Sequence, residues 1–168
     1  PDWQDRFDSF EHEAAAAASL GQVHRASLGA ELDGNALACK LQYPDMSSAV
    51  EADLSQLKLI FSIYGRYDRT IDTSNVHKEI SERLREELDY EQEARHMALF
   101  AEALKAEKQI HIPRVVPELS TRRLLTMNWL EGQPLLDFRE ADLETRNTIA
   151  LNMFRTWYVP FYSAGVIH

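Results

Sequence analysis

A lysine in the middle of an apolar strand constrains this chain most. Residues 36–43 read Ala-Leu-Ala-Cys-Lys-Leu-Gln-Tyr, and their period of two predicts a strand. One face carries Lys40 with Ala38 and Gln42, and the other carries Leu37, Cys39 and Leu41. We expect the apolar face to pack on a helix while Lys40 faces a cleft. An inward lysine requires an anion, which a nucleotide phosphate would provide; the alternative is a lysine that extends from a half-exposed strand into water.

The segments on either side of this strand predict a hairpin and then two helices. Residues 22–28 alternate as a strand, and Asp33-Gly34 is a turn signal. Residues 46–67 place apolar side chains at helical spacing, and a longer helix is predicted over about 74–105. The apolar positions are Val50, Leu54, Leu57 and Phe61 in the first helix and Ile80, Leu84 and Leu88 in the second. This order of elements is that of a kinase small lobe.

The last third of the chain predicts two further strands and one helix. The strands cover 112–117 and 122–130, and the polar turn 118–121 joins them. The helix covers 142–162, and Pro160 should kink it or end it early. The apolar face of this helix consists of Leu143, Ala150, Met153, Phe154, Trp157 and Phe161.

Acidic residues recur along the second predicted helix at steps of four, three and four, which places them on one helical face. They are Glu82, Glu86, Asp89 and Glu93. Like charges at this spacing destabilise a helix, so a nearby lysine or magnesium ion would explain the stripe. The alternative is a solvated face that Arg83 and Arg85 help to neutralise.

The alanine-rich segment 14–21 lies where kinases place a glycine-rich phosphate loop. Small side chains let backbone N–H groups approach phosphate oxygens. Alanine excludes most of the positive-φ conformations that glycine adopts, so this loop would hold its ligand differently. The alternative is that the five alanines simply favour a helix.

Composition excludes several classes of protein. With 168 residues and 45% hydrophobic content, one globular domain is expected, and a formal charge of -9 argues against a nucleic-acid partner. Cys39 is the single cysteine, so there is no internal disulfide, no zinc-ligand spacing appears, and a reducing compartment is expected.

No apolar run reaches the length of a membrane span, so we expect a soluble chain. Because the chain starts without Met and ends just after an apolar run, we expect a fragment.

Four segments together resemble the UbiB (AarF) family of atypical protein-kinase-like ATPases, which is tied to ubiquinone biosynthesis. They are Ala-Ala-Ala-Ser-Leu-Gly-Gln-Val-His-Arg-Ala at 16–26, the lysine strand with its Asp33-Gly34 turn, Glu-Leu-Asp-Tyr-Glu-Gln-Glu-Ala at 87–94, and Ile-Pro-Arg-Val at 112–115 with Leu-Thr-Met-Asn-Trp-Leu-Glu-Gly at 125–132. The resemblance covers nearly the whole chain. It implies an α+β fold, with a kinase-like N-terminal lobe over 1–127 and a hinge with the start of the C-terminal lobe over 128–168.

The resemblance also implies roles for individual residues. Lys40 would hold the α- and β-phosphates with Glu93 as its helix partner, and Glu87 and Asp89 would be a regulatory or metal-associated pair. Met127 to Leu130 would be the hinge that meets adenine. The implied nucleotide-binding residues are Ala15, Ala16, Ala17, Ala18, Ser19, Leu20, Gly21, Gln22, Val23, Lys40, Glu93, Asn128 and Leu130. The catalytic base, and most ligands of Mg²⁺, are expected beyond His168.

We therefore expect an ATP-binding part of an ATPase or phosphotransferase that is inactive alone and whose parent supports isoprenoid quinone synthesis. Isoprenoid lipids, quinone-biosynthesis proteins and a membrane surface are partners implied by the resemblance. The expected location is the cytoplasm or the periphery of a bacterial inner membrane or its organellar equivalent. Two alternatives stay open: a non-catalytic, pseudokinase-like binding module, and a phosphotransferase of the aminoglycoside type, which does not predict the Glu-Leu-Asp-Tyr segment at 87–90.

Overall fold

In the part of the chain that the structure describes, one antiparallel sheet and four α-helices form the α+β fold. The computed structural model describes residues 3–29, 36–67 and 72–167. The strands are β1 (Ser9–Phe10), β2 (Ala16–Ala18), β3 (Gly21–Ser27), β4 (Ala36–Gln42) and β5 (Leu124–Asn128). The helices are α1 (Met46–Tyr67), α2 (Thr73–Glu87), α3 (Tyr90–Ala103) and α4 (Leu143–Ala164), with short 3₁₀ turns at Trp3–Arg6, Pro117–Leu119 and Leu135–Phe138. The strand order is β1-β3-β4-β5, and β2 also pairs with β3.

The predicted lysine strand is confirmed as β4, an inner strand of the sheet. It pairs along its whole length with β3, so that Lys40 lies opposite Val23, and β5 on the other side places Leu125 opposite Lys40. The predicted turn at Asp33-Gly34 lies outside the described residues. The period of two in the sequence therefore identified both the strand and the face on which Lys40 lies.

The apolar face of β4 is covered differently from the expectation. Leu37 and Cys39 are buried with Ala26, and Phe7 and Phe10 from the N-terminal segment pack against them. The prediction that a helix covers this face was wrong, because two phenylalanines already supply a large apolar surface. The helices contact the opposite face, which carries the lysine, as the contacts from Gln42 and Lys40 show.

The long acidic helix is broken. The prediction of one helix over 74–105 was wrong, since α2 ends at Glu87 and α3 begins at Tyr90. Asp89 caps α3 by accepting a hydrogen bond from the backbone N–H of Gln92 at 3.0 Å, a role for which Asp is well suited. The predicted common face of the four acidic residues was therefore also wrong, because two lie on α2, one is the cap and one lies on α3.

Helix α1 has the predicted bounds and packs against α2. Val50 and Leu54 are buried together with Leu88, and Leu20 and Leu84 pack against this cluster. The 3.6-residue period thus identified both the helix and its buried face. The cluster anchors the turn after β2 to the helices, because Leu20 belongs to that turn.

Only part of the predicted strand pair near the C-terminus forms. Residues 112–117 make one isolated bridge, from Val115 to Met127, although the N–H of Val116 also donates to the carbonyl of Thr126 at 2.8 Å. Pro113 and Pro117 have no N–H to donate, which explains why no regular strand develops here. The second predicted strand is β5, which is shorter than the predicted 122–130.

Helix α4 runs through Pro160. Of the two outcomes predicted at this proline, a kink or an early end, the early end was wrong, because the helix continues to Ala164 and ends at Gly165, whose φ of 68° suits glycine. Pro160 itself is buried, whereas most of the predicted apolar face is exposed, including Phe154 and Trp157. Within the described ranges, no helix is long and apolar enough to cross a membrane.

Candidate functional site

An ion pair between β4 and α3 forms the centre of the candidate site. The Nζ of Lys40 lies 2.8 Å from both carboxylate oxygens of Glu93. The lysine and glutamate side chains are 21% and 35% exposed, so the pair is partly shielded from water. Glu93 can reach the sheet because α3 starts at Tyr90 and brings its first turn over β4. The predicted contact is present, and its role in nucleotide binding stays a prediction.

Tyr90 provides a second contact for the same ammonium group. Its ring centroid lies 4.8 Å from the Nζ of Lys40, and the residue is 2% exposed. Burial, followed by the carboxylates of Glu93 and Glu87, raises the pKa of Tyr90 to about 12. The phenol therefore stays neutral at physiological pH and presents a π face to the cation.

Two hydrogen bonds, both made by backbone groups of the break between α2 and α3, join this break to Gln42 of β4 and to the turn before β5. The side chain of Gln42 donates from Nε2 to the carbonyl of Leu88 at 2.6 Å, and the N–H of Tyr90 donates to the carbonyl of Arg122 at 3.2 Å. Gln42 is buried and lies two residues after Lys40, on the same face of β4. These bonds place the start of α3, and hence Glu93, relative to the lysine.

The alanine-rich segment is a hairpin and not a helix. β2 pairs with the start of β3 through a turn at Ser19 and Leu20. Directly opposite residues share a face, so a row runs across four strands through Ala16, Val23, Lys40 and Leu125. Ala18 and Gly21 share this face, whereas Ala17 and Gln22 lie on the opposite one. On this face Ala16 is exposed and Ala18 is half-buried, whereas Leu125 at the other end of the row is fully buried.

Gly21 has a structural reason to be glycine. A Cβ built there would lie 2.0 Å from the backbone oxygen of Leu41, far inside van der Waals contact. The close approach of β3 to β4 therefore requires glycine at this position. The N–H of Tyr43 also donates to the carbonyl of Leu20 at 3.2 Å, which ties the turn to the end of β4.

Glu87 and Asp89 point to different partners. The hydroxyl of Ser19 donates to Oε2 of Glu87 at 3.1 Å, which joins the turn of the alanine hairpin to the end of α2. Asp89 is used as the cap of α3, and its other oxygen lies 3.9 Å from Nε of Arg122. Among the residues that the structure describes, no three His, Cys, Asp or Glu side chains form a group able to hold a metal ion. These residues therefore do not make up a complete magnesium site.

The predicted hinge, residues 127–130, begins within β5 and takes part in the sheet. Asn128 donates its backbone N–H to the carbonyl of Arg114 at 3.0 Å, and its side-chain oxygen accepts from the N–H of the same arginine. The N–H of Trp129 donates to the carbonyl of Ala36 at 2.8 Å. Leu130 comes next and is 44% exposed. The side chain of Asn128 thus holds the segment before β5 in place.

Sequence reasoning missed several residues of this face. Tyr90 and Leu125 were not among the predicted site residues, and Ala38 was noted only as a neighbour of Lys40. The period of two along β4 and pairing of β5 with it could have suggested Ala38 and Leu125. A stack at the predicted hinge was also missed: the guanidinium of Arg25 lies 5.1 Å from the ring centroid of Trp129. No local sequence pattern predicts that stack, because 104 positions separate Arg25 from Trp129.

Comparison with known proteins identifies the family. The ABC1 atypical kinase-like domain matches residues 1–168. The chain is 34% identical over 149 residues to the mitochondrial atypical kinase coq-8 of Caenorhabditis elegans, covering 89% of this chain and 19% of that protein. It is 31% identical over 153 residues to the mitochondrial atypical kinase COQ8 of Saccharomyces cerevisiae, covering 91% and 30%.

A solved structure has the same fold. The complex of Rv3197 with erythromycin from Mycobacterium tuberculosis matches with a TM-score of 0.75 and 33% identity, over 89% of this chain and 37% of that one. The chain spans about a fifth to a third of the length of the two curated relatives. The fold expected from the sequence, a kinase-like small lobe, and the resemblance to UbiB proteins are confirmed. This chain belongs to the ABC1 atypical kinase-like family.

Proposed function

We propose that this chain is the ATP-binding part of a UbiB-type atypical kinase or ATPase that supports isoprenoid quinone synthesis. The single observation that carries the proposal is the Lys40–Glu93 ion pair, on the face of the sheet that α3 contacts. A lysine fixed by a helix carboxylate in this way presents a point charge for phosphate oxygens. The alanine hairpin borders the same face, and its backbone would approach the phosphates there.

ATP would bind beside the part of the row that runs from β2 to Lys40 on β4. Val23 and Ala38 would contact the base from the sheet, Lys40 would meet the phosphates, and the backbone at Asn128 to Leu130 would border the adenine. The magnesium ion that accompanies ATP would neutralise part of the negative charge of the phosphates. Since the described residues do not complete its ligand set, we assign no step to it.

Thermal-shift titration with Mg-ATP tests the proposal in the full-length protein. Wild type should gain thermal stability with increasing nucleotide, because a ligand that binds only the folded state stabilises it. Lys40→Ala should lose most of that gain. Lys58→Ala, which removes an exposed lysine from α1, should keep it. Equal stabilisation of wild type and Lys40→Ala would contradict the proposal.

A cellular test addresses the quinone part of the proposal. The names of the two curated relatives place them in mitochondria, which supports an organellar location for this protein as well. In cells that lack the natural gene, the full-length wild type should restore the isoprenoid quinone level and Lys40→Ala should not. Restoration by both proteins would show that the role in quinone synthesis does not require Lys40.

The second candidate function is a non-catalytic binding module, and the exposed face of α4 favours it. Phe154, Trp157 and Phe161 are each more than 40% exposed along this helix. Exposed apolar surface of this kind is typical of protein contacts. Absence of nucleotide stabilisation and of ATPase activity in the full-length protein would favour the module.

A further inference from the structure

We propose that Tyr90 is a positioning residue for Lys40: its ring holds the ammonium group in the orientation in which Glu93 binds it. The proposal rests on the nucleotide-binding function above and adds a residue to it. The carrying observation is the distance of 4.8 Å between the Nζ of Lys40 and the Tyr90 ring centroid. At that distance an ammonium over an aromatic face is attracted by the ring quadrupole.

Tyr90 and Glu93 act on the lysine from the same helical face. They are three residues apart in the first turn of α3, a spacing that aligns side chains on a helix. The carboxylate supplies the opposite charge at 2.8 Å, and the ring covers a second side of the ammonium. A lysine side chain has several rotatable bonds, so a single ion pair leaves it freedom that a second contact removes.

The ring itself cannot move aside easily. Tyr90 is 2% exposed, and its backbone N–H is bound to the carbonyl of Arg122. It also stands directly after the cap residue Asp89, whose side chain fixes the start of the helix. The break between α2 and α3 therefore contributes to the site, because it makes Tyr90 the first residue of α3, where its ring contacts Lys40.

Ring fluorination tests this role without changing the shape of the core. Phenylalanine and trifluorophenylalanine are placed at position 90 of the full-length protein, and acetylation of each lysine is followed by mass spectrometry without nucleotide. Fluorine withdraws charge from the π face, so Lys40 should be held less tightly and be acetylated roughly twofold to fivefold faster than in Tyr90→Phe. Lys58, exposed on α1, is the internal reference and should not change.

The outcomes separate the alternatives. Tyr90→Phe should match wild type, because the ring is kept and the hydroxyl is lost. Equal Lys40 rates in the phenylalanine and trifluorophenylalanine proteins would overturn the proposal, since a residue that only fills space does not respond to ring charge. A rate in Tyr90→Phe as high as in the fluorinated protein would also overturn it, by assigning the effect to the hydroxyl.

A parallel measurement distinguishes this proposal from the one on which it rests. Mg-ATP should slow acetylation of Lys40 in wild type by covering the ammonium. If Mg-ATP has no such effect while fluorination still accelerates labelling, the nucleotide function fails and the positioning of Lys40 by Tyr90 stands. If Mg-ATP protects Lys40 and fluorination has no effect, the positioning role fails alone.

Discussion

Neutralising Glu93 isolates the contribution of its charge to the site. In Glu93→Gln the amide keeps the shape of the side chain and one acceptor for Lys40, but the negative charge is lost. At the observed 2.8 Å, Coulomb's law with an effective dielectric constant of ~20 gives an attraction of about 6 kcal/mol. The desolvation of both groups and the screening of a glutamate that is 35% exposed offset most of it. We expect a net loss of about 1 kcal/mol in the free energy of unfolding.

The assay is denaturant unfolding together with Mg-ATP titration, and a second ion pair provides the control. Glu51 binds Arg85 through two contacts of 2.7 and 3.0 Å, a geometry similar to that of the pair at the site. Both of its side chains are more than half exposed, so Glu51→Gln should change stability less than Glu93→Gln. Only Glu93→Gln should weaken ATP binding, by about tenfold if orienting Lys40 contributes about 1.4 kcal/mol.

Two results would refute this reasoning. If Glu93→Gln and Glu51→Gln lost equal stability, partial burial would not be what strengthens the pair at the site. If Glu93→Gln bound Mg-ATP as tightly as wild type, Lys40 would not need its helix partner, and the ion pair would be a structural feature alone.

Three further results are expected. Gly21→Ala should destabilise the fold by about 3 kcal/mol, because its Cβ would meet a β4 carbonyl at 2.0 Å, whereas Gly132→Ala, with open space around it, should be neutral in the same melts. Gln42→Leu should cost about 1–2 kcal/mol and speed hydrogen exchange at the helix break, since the Leu88 carbonyl loses its donor; unchanged exchange would argue against that tie. The free energy of unfolding should fall by about 2 kcal/mol between pH 10 and 12, because the unfolded chain has released the Tyr90 proton in this range while the folded chain retains it. If stability fell as steeply with pH in Tyr90→Phe, another group would be responsible for the loss.

The candidate site could be predicted in part. The pairing of Lys40 with Glu93 was expected from the resemblance to a known family, and the structure shows that contact. The contact between Ser19 and Glu87 was not expected, nor was the use of Asp89 as a helix cap. Spacing along an assumed continuous helix could not reveal these two contacts, because the helix is interrupted between Glu87 and Asp89.

Local periodicity was sufficient to predict some of the elements. The period of two identified β4 and the side on which Lys40 lies, and the 3.6-residue period identified α1 with its bounds. These patterns depend only on neighbouring residues, since alternation reports which face of a strand is apolar. They do not state what covers that face, which is why the cover by Phe7 and Phe10 was not foreseen.

The tertiary structure decided where the acidic helix breaks and what the lysine touches. At the break, Gln42 donates a hydrogen bond to a carbonyl 46 positions away, and the ring over Lys40 comes from Tyr90, 50 positions along the chain. Such contacts join segments that have no pattern in common. The sequence alone determined that Lys40 would lie on the side of β4 opposite to its apolar residues; only the packing of the helices onto that side determined that a carboxylate and a ring would hold it there.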